Sequence, residues 1–153
     1  AGAYTLGTAF SYTDLPSLTV NAFFNFLGIG NETPFWKLYL LLTGVMTLSA
    51  VFFQSKTMRA MVFVPIAIGV ATRFNFSILS LSLPVAFMIN HVYVLPFNSK
   101  PAALLYETNH YSIGDSFKYG MTMMIISWII NIVAGETLYR VLEITPNGVF
   151  GLF

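Results

Sequence analysis

Residues 36–73 read WKLYLLLTGVMTLSAVFFQSKTMRAMVFVPIAIGVATR, and the placing of their charges decides the fold. Lys37 and Lys56 bracket 18 uncharged residues, Leu38 to Ser55, enough for one helical crossing at about 1.5 Å per residue. Arg59 and Arg73 bracket only 13, Ala60 to Thr72, too few to cross a hydrocarbon layer of about 30 Å. A helix from Trp36 to Phe53, a polar break at Gln54-Ser55-Lys56-Thr57 and a half-length helix from Met58 to Ala71 predict a re-entrant hairpin over 34–73 with its tip at 54–57. Non-helical backbone at membrane depth is tolerated only against protein or a watery cavity, so a tip bearing Ser, Lys and Thr implies a cavity. Two ordinary helices joined by a loop in water fit the same spacing, and both readings stand at this point.

The whole chain supports a membrane setting. Of its 153 residues 56% are hydrophobic and 8% charged, with a mean hydropathy of +0.74. Soluble domains carry about 25% charged residues, so this composition excludes an ordinary water-soluble fold and disorder alike. The class expected is an all-α polytopic membrane protein. With no cysteine there is no disulfide scaffold and no thiolate chemistry, and a net charge of +1 leaves no basic surface for nucleic acid. No Gly-rich phosphate loop, nucleophile elbow or HExxH motif occurs, so the chain offers no enzymatic site and calls for no cofactor.

Outside the hairpin, residues 1–12 read as the end of a transmembrane helix, as though the chain starts inside one and a preceding half or a partner chain completes it. Residues 13–33 read as an interfacial amphipathic helix and loop, with Leu15, Leu18, Ala22, Phe23 and Phe26 at helical spacing beside Ser17, Thr19, Asn21 and Asn25. Residues 74–114 are expected to form a broken transmembrane helix, because the 26 uncharged residues from Phe74 to Ser99 are interrupted by Pro84, Asn90-His91 and Pro96. The break is placed at 96–101. Residues 115–153 supply the last transmembrane helix and the C-terminus, and Trp36, Tyr39 and Tyr139 read as interfacial anchors.

Two tetrapeptides echo one another at these breaks: Phe53-Gln54-Ser55-Lys56 and Phe97-Asn98-Ser99-Lys100. Asn98 and Ser99 suit an N-cap, and Pro101 suits a first helical turn. Each break would then aim a helix N-terminus, with free N–H groups and partial positive charge, at one place. Lys56 and Lys100 would add two full charges. Broken helices whose N-termini meet at mid-membrane hold anionic substrates in secondary transporters. For a single lysine, snorkelling to an interface is the better reading; two, each beside a serine and a helix start, point to an anion site.

The run Ala86-Phe87-Met88, then Pro96-Phe97-Asn98-Ser99-Lys100-Pro101-Ala102-Ala103, then Tyr111-Ser112-Ile113-Gly114-Asp115, then Lys118-Tyr119-Gly120, resembles the C-terminal half of divalent anion/sodium symporters. Ser55-Lys56-Thr57 sits where that family carries its second Ser-Asn-Thr signature. The resemblance implies the second repeat of an inverted-repeat transporter, a homodimer, and an elevator-type movement of dicarboxylates, tricarboxylates or sulfate. Carried over by position, Ser55, Thr57 and Ser99 would contact the anion. The family Asn is Lys56 here and the first Pro of the break is Lys100. An ammonium in place of a sodium-coordinating amide repels the ion and supplies its charge instead, so a sodium-independent anion exchanger or uniporter is expected.

The expected substrate site is thus Ser55, Lys56, Thr57, Asn98, Ser99, Lys100 and Pro101, with no metal beyond a doubtful sodium ion. Arg59, one turn past the tip, is an accessory candidate for bidentate carboxylate binding or for pairing with an acid elsewhere. His91 is the other, an ionisable residue in an apolar segment that reads equally as a neutral ring bonded to a neighbouring helix. Glu107, Asn109, His110 and Asp115 read as a solvated loop. The expected setting is the inner cell membrane, and the competing class is a small structural subunit of a membrane complex.

Overall fold

The computed structural model describes residues 33–53, 55–96, 100–108, 111–145 and 147–151. The expected helix end at 1–12 and the interfacial helix at 13–33 lie outside them, apart from Thr33, as do Gln54, Asn98, Ser99, Asn109 and His110. The regular elements among the described residues are all helices, in the order α1 Phe35–Phe52, α2 Lys56–Arg73, α3 Ile78–Met88, α4 Lys100–Glu107, α5 Ile113–Glu136 and α6 Leu138–Val141.

Helix α1 buries three hydroxyls in an apolar setting. It can do so because each bonds to its own backbone: Thr43 donates to the Tyr39 carbonyl at 2.6 Å, Thr47 to Thr43 at 2.7 Å and Ser49 to Met46 at 2.6 Å. Helix α2 has 18 residues, the same length as α1. Charge spacing implies a half-length limb from Met58. It underestimates α2 because Lys56 and Arg59 both sit inside the helix, where Ser55 caps the start by accepting the Met58 N–H at 3.2 Å.

The chain leaves α2 through a left-handed Asn75, φ +55°, with Asn75 N–H to Thr72 at 3.3 Å and Phe76 N–H to Ala71 at 2.9 Å. That is a Schellman ending, in which Asn substitutes for the usual Gly. The turn brings α3 back along α2. Leu38, Leu42 and Met46 of α1, Ile66 and Val70 of α2, and Leu81, Val85 and Met88 of α3 form one buried core.

Helix α5 starts at a capping box, in which Ser112 Oγ accepts the Asp115 N–H at 3.1 Å and Asp115 Oδ2 accepts the Ser112 N–H at 3.1 Å. Its inner face meets α1 closely. Trp128 Nε1 donates to Thr43 Oγ1 at 2.9 Å, and Tyr39 donates to the Asn131 carbonyl at 2.8 Å. Gly135 is required there, since a Cβ would lie 2.6 Å from the Tyr39 hydroxyl oxygen. Tyr39 and Tyr139 are therefore core residues and not interfacial anchors: both are buried, and Tyr139 donates to Asn131 Oδ1 at 3.3 Å. The outer face, with Ile125, Ile126, Ile129, Ile130 and Val133, stays exposed within this chain. Helix α1 and the stretch Ile113–Val141 are each long and apolar enough to cross a membrane.

Beyond α6 the chain folds back. Glu136 is buried at the end of α5, and its Oε2 accepts the N–H groups of Val149 at 2.6 Å and Phe150 at 2.8 Å. Gly148 makes this possible with φ +68°, and a Cβ there would meet Glu136 Oε1 at 2.7 Å. Gly148→Ala is accordingly expected to cost about 2 kcal/mol, from left-handed strain and a displaced carboxylate. Thermal unfolding in detergent, followed by tryptophan fluorescence, would show it as a clear drop in Tm.

Candidate functional site: a helix start beside a buried break

The loop that ends α1 and opens α2 presents Ser55, Lys56 and Thr57 on the surface of the chain. Ser55 Oγ satisfies one of the first N–H groups of α2, and Lys56 and Thr57 are exposed beside it. A helix N-terminus carrying an ammonium and a second hydroxyl is suited to an anion on electrostatic grounds.

Arg59 turns the other way. Its side chain is 1% exposed, and among the described residues its donors reach neutral oxygens. Nε donates to Ser49 Oγ at 3.0 Å, Nη2 to the Met46 carbonyl at 2.6 Å and to the Met88 carbonyl at 3.5 Å, and Nη1 to the Ile89 carbonyl at 3.0 Å. Met46 and Ser49 belong to α1, while Met88 and Ile89 end α3. Last-turn carbonyls lack intrahelical partners and carry partial negative charge, so a guanidinium is well placed there. Arg59 stands one turn past the tip, as its place in the sequence requires, and its side chain points into the protein between these elements.

The break opens earlier than the prolines suggest. Helix α3 stops at Met88, and residues 89–96 run irregularly up to Pro96, held by turns such as His91 N–H to Met88 at 3.3 Å and Val92 N–H to Asn90 at 3.0 Å. The β-branched and aromatic run Val92-Tyr93-Val94 disfavours helix, and Pro96 drives Leu95 toward extended backbone. This irregular backbone is shielded by protein in part, at Val92, Val94 and Pro96, while Asn90 and Tyr93 are exposed. Val92 and Val94 are buried, and Val94 packs directly on α5 at Gly120, where a Cβ would lie 2.5 Å from Val94 Cα and 2.6 Å from the Tyr93 carbonyl carbon.

His91 lies in this break and not within a helix. Its ring meets Tyr93 edge-on at 5.8 Å, with Nδ1 3.3 Å from the Tyr93 hydroxyl. It borders a cavity of about 180 Å³ with Met88, Ser127, Asn131 and Tyr139. On the other side of the break a larger cavity, about 400 Å³, is lined by Val92, Tyr93, Leu95, Ala102, Leu105, Tyr111, Asp115, Ser116 and Tyr119. Lys100 and Pro101 form the first turn of α4.

The chain thus sets a helix start bearing Ser55-Lys56-Thr57 and an irregular break on either side of the Arg59 guanidinium, with two stretches long and apolar enough to cross a membrane. Residues 2–145 match the family described as "Sodium:sulfate symporter transmembrane region". The chain belongs to this sodium:sulfate symporter family. No curated protein matches it. Family membership makes the protein an integral membrane transporter and not an enzyme.

As a sodium:sulfate symporter family member the chain has residues whose importance sequence reasoning places elsewhere or passes over. Ile113-Gly114-Asp115 stands out by resemblance, yet Ser112-x-x-Asp115 is a capping box written in the sequence. Gly120 stands out only as part of Lys118-x-Gly120; its reason is the close approach of the break. Asn131 and Glu136 carry no sequence signal beyond being polar residues toward the C-terminal end of an apolar helix.

Proposed function

We propose that the chain forms part of the anion site of a secondary active transporter for small divalent anions, dicarboxylates or sulfate. The observation that carries this reading is the exposed Ser55-Lys56-Thr57 helix start, one turn from a guanidinium bound to the break, in a member of an anion-transporter family. Ser55, Lys56 and Thr57 hold the anion from the hairpin, and Asn98, Ser99, Lys100 and Pro101 hold it from the restart of the broken helix. Lysines provide charge; hydroxyls and helix-start N–H groups provide hydrogen bonds.

The finer features belong to the same proposal. The chain corresponds to the second inverted repeat, its hairpin re-entrant, and an equivalent first half completes the site. The whole works as a homodimer in the inner cell membrane and carries the site across by an elevator movement. Lys56 supplies the charge that sodium would otherwise bring, so transport is sodium-independent exchange. Family membership favours this transporter reading over the structural-subunit alternative.

Proteoliposomes containing the full-length protein test it. Uptake of labelled four-carbon dicarboxylate or sulfate is expected when the vesicles hold unlabelled dicarboxylate, at the same rate in sodium and in choline. Steep dependence on sodium overturns the exchange claim. Absence of uptake of either anion under all gradients overturns the transporter reading of this site.

A further inference from the structure

Arg59 serves three elements at once. It projects from the first turns of α2, takes Met46 and Ser49 of α1 with Nε and Nη2, and takes Met88 and Ile89 at the end of α3 with Nη1 and Nη2. Ser49 Oγ in turn donates to the Met46 carbonyl at 2.6 Å, so the α1 side of the contact is a prepared pair of oxygens. Arg59 is among the largest fully buried side chains of the described residues, and every oxygen it bonds there is neutral. A buried guanidinium without an acid is costly unless several fixed dipoles answer it. Here four oxygens and the negative end of α3 do so, and no single one of the three elements could.

We infer that Arg59 is a positioning residue that holds the hairpin and the break as one rigid unit, so that the two halves of the anion site keep their spacing. The inference rests on the proposed anion site at 55–57 and 98–101, and deepens it. Met88 and Ile89 close the last helical turn before the irregular stretch, and Ser55-Lys56-Thr57 is the turn before Arg59. Guanidinium geometry suits this role, because a planar fork fixes direction as well as distance, which an ammonium on a flexible stem does not. If the site moves during transport, its walls must not part, and a contact made entirely inside the protein keeps its strength as the outer surroundings change. The contact also keeps a full positive charge close behind the hairpin tip.

The test uses the natural absence of cysteine. Met58→Cys and Asn90→Cys, both at exposed positions flanking the contact, carry spin labels in the full-length protein, and pulsed EPR reads their separation with and without sulfate or a four-carbon dicarboxylate. With Arg59 present a single narrow distance distribution is expected, unchanged by the anion. Arg59→Gln is expected to broaden it and to raise the apparent KM for uptake about tenfold, the scale of one lost charge-assisted hydrogen bond. Arg59→Lys restores the charge without the fork and should leave the broadening, with a KM between the two. A narrow distribution in a folded Arg59→Gln protein overturns the inference. Should Arg59→Gln fail to fold, Ser49→Ala removes one of the receiving oxygens; its distribution should broaden slightly, and an unchanged distribution overturns the inference equally. A protein that transports no divalent anion refutes the proposed function, while the distance measurement still decides whether Arg59 ties the two elements.

Discussion

Gly120→Ala is expected to cost the protein both stability and transport. A Cβ at position 120 would stand 2.5 Å from Val94 Cα and 2.6 Å from the Tyr93 carbonyl carbon, and these are backbone atoms that no rotamer change can remove. Either the irregular stretch 89–96 moves off α5 or α5 bends. Overpacking of this kind costs about 1–3 kcal/mol where side chains can yield, and the upper end or more is expected here. The displaced segment is the break itself, so uptake should fall further than stability alone explains. Gly44→Ala is the control. Its Cβ would meet only the Trp128 ring, at 3.4 Å, and a change within about 0.5 kcal/mol is expected. Thermal unfolding and uptake measured on both variants separate a true backbone contact from a general intolerance of α1 and α5 to methyl groups.

Lys56→Ala should give the largest loss of anion affinity with the least structural damage. Lys56 is exposed at the second residue of an outward-facing turn, and the cap of α2 is made by Ser55, which remains. A unit charge about 5 Å from one anionic charge is worth about 3 kcal/mol at an effective dielectric near 20. Affinity for a divalent anion is therefore expected to fall about a hundredfold or more, with Tm unchanged. Lys56→Arg should retain most of the affinity, whereas Lys37→Ala, far along α1 beside Trp36, should do nothing. Isothermal titration or uptake at graded anion concentration reads the difference. Equal affinities in Lys56→Ala and the parent would remove the lysine from the site.

The membrane setting, the all-helical class and the break between α1 and α2 are legible in the sequence, because these depend on where charge and polarity fall. The length of α2 is not. Charge spacing ends a span at Arg59, yet a guanidinium can be accommodated by carbonyls contributed from α1 and α3, and no local pattern shows partners 10 and 30 residues away. The onset of the break is hidden for a related reason. Pro96 and Pro101 are visible punctuation, while the ending at Met88 goes with the backbone of Tyr93 and Val94 meeting α5 at Gly120 and with Val92 and Val94 clustering with Met124. Tyr39 and Tyr139 stand near the ends of apolar runs, where an aromatic looks the same whether it faces lipid headgroups or Asn131 across a helix interface. For the candidate site, the Ser55-Lys56-Thr57 turn can be read directly from its break in hydropathy. Arg59 is conspicuous by its position, but its inward direction requires the fold.

The central proposal is that the turn at 55–57 and residues 98–101 hold the same anion. Thr57→Cys and Ser99→Cys, made separately in the cysteine-free full-length protein, can each be labelled with a small maleimide in the presence and absence of a saturating four-carbon dicarboxylate. A shared site predicts that the anion slows labelling at both positions, with the same concentration dependence. Protection at one position alone, or at neither, would contradict it.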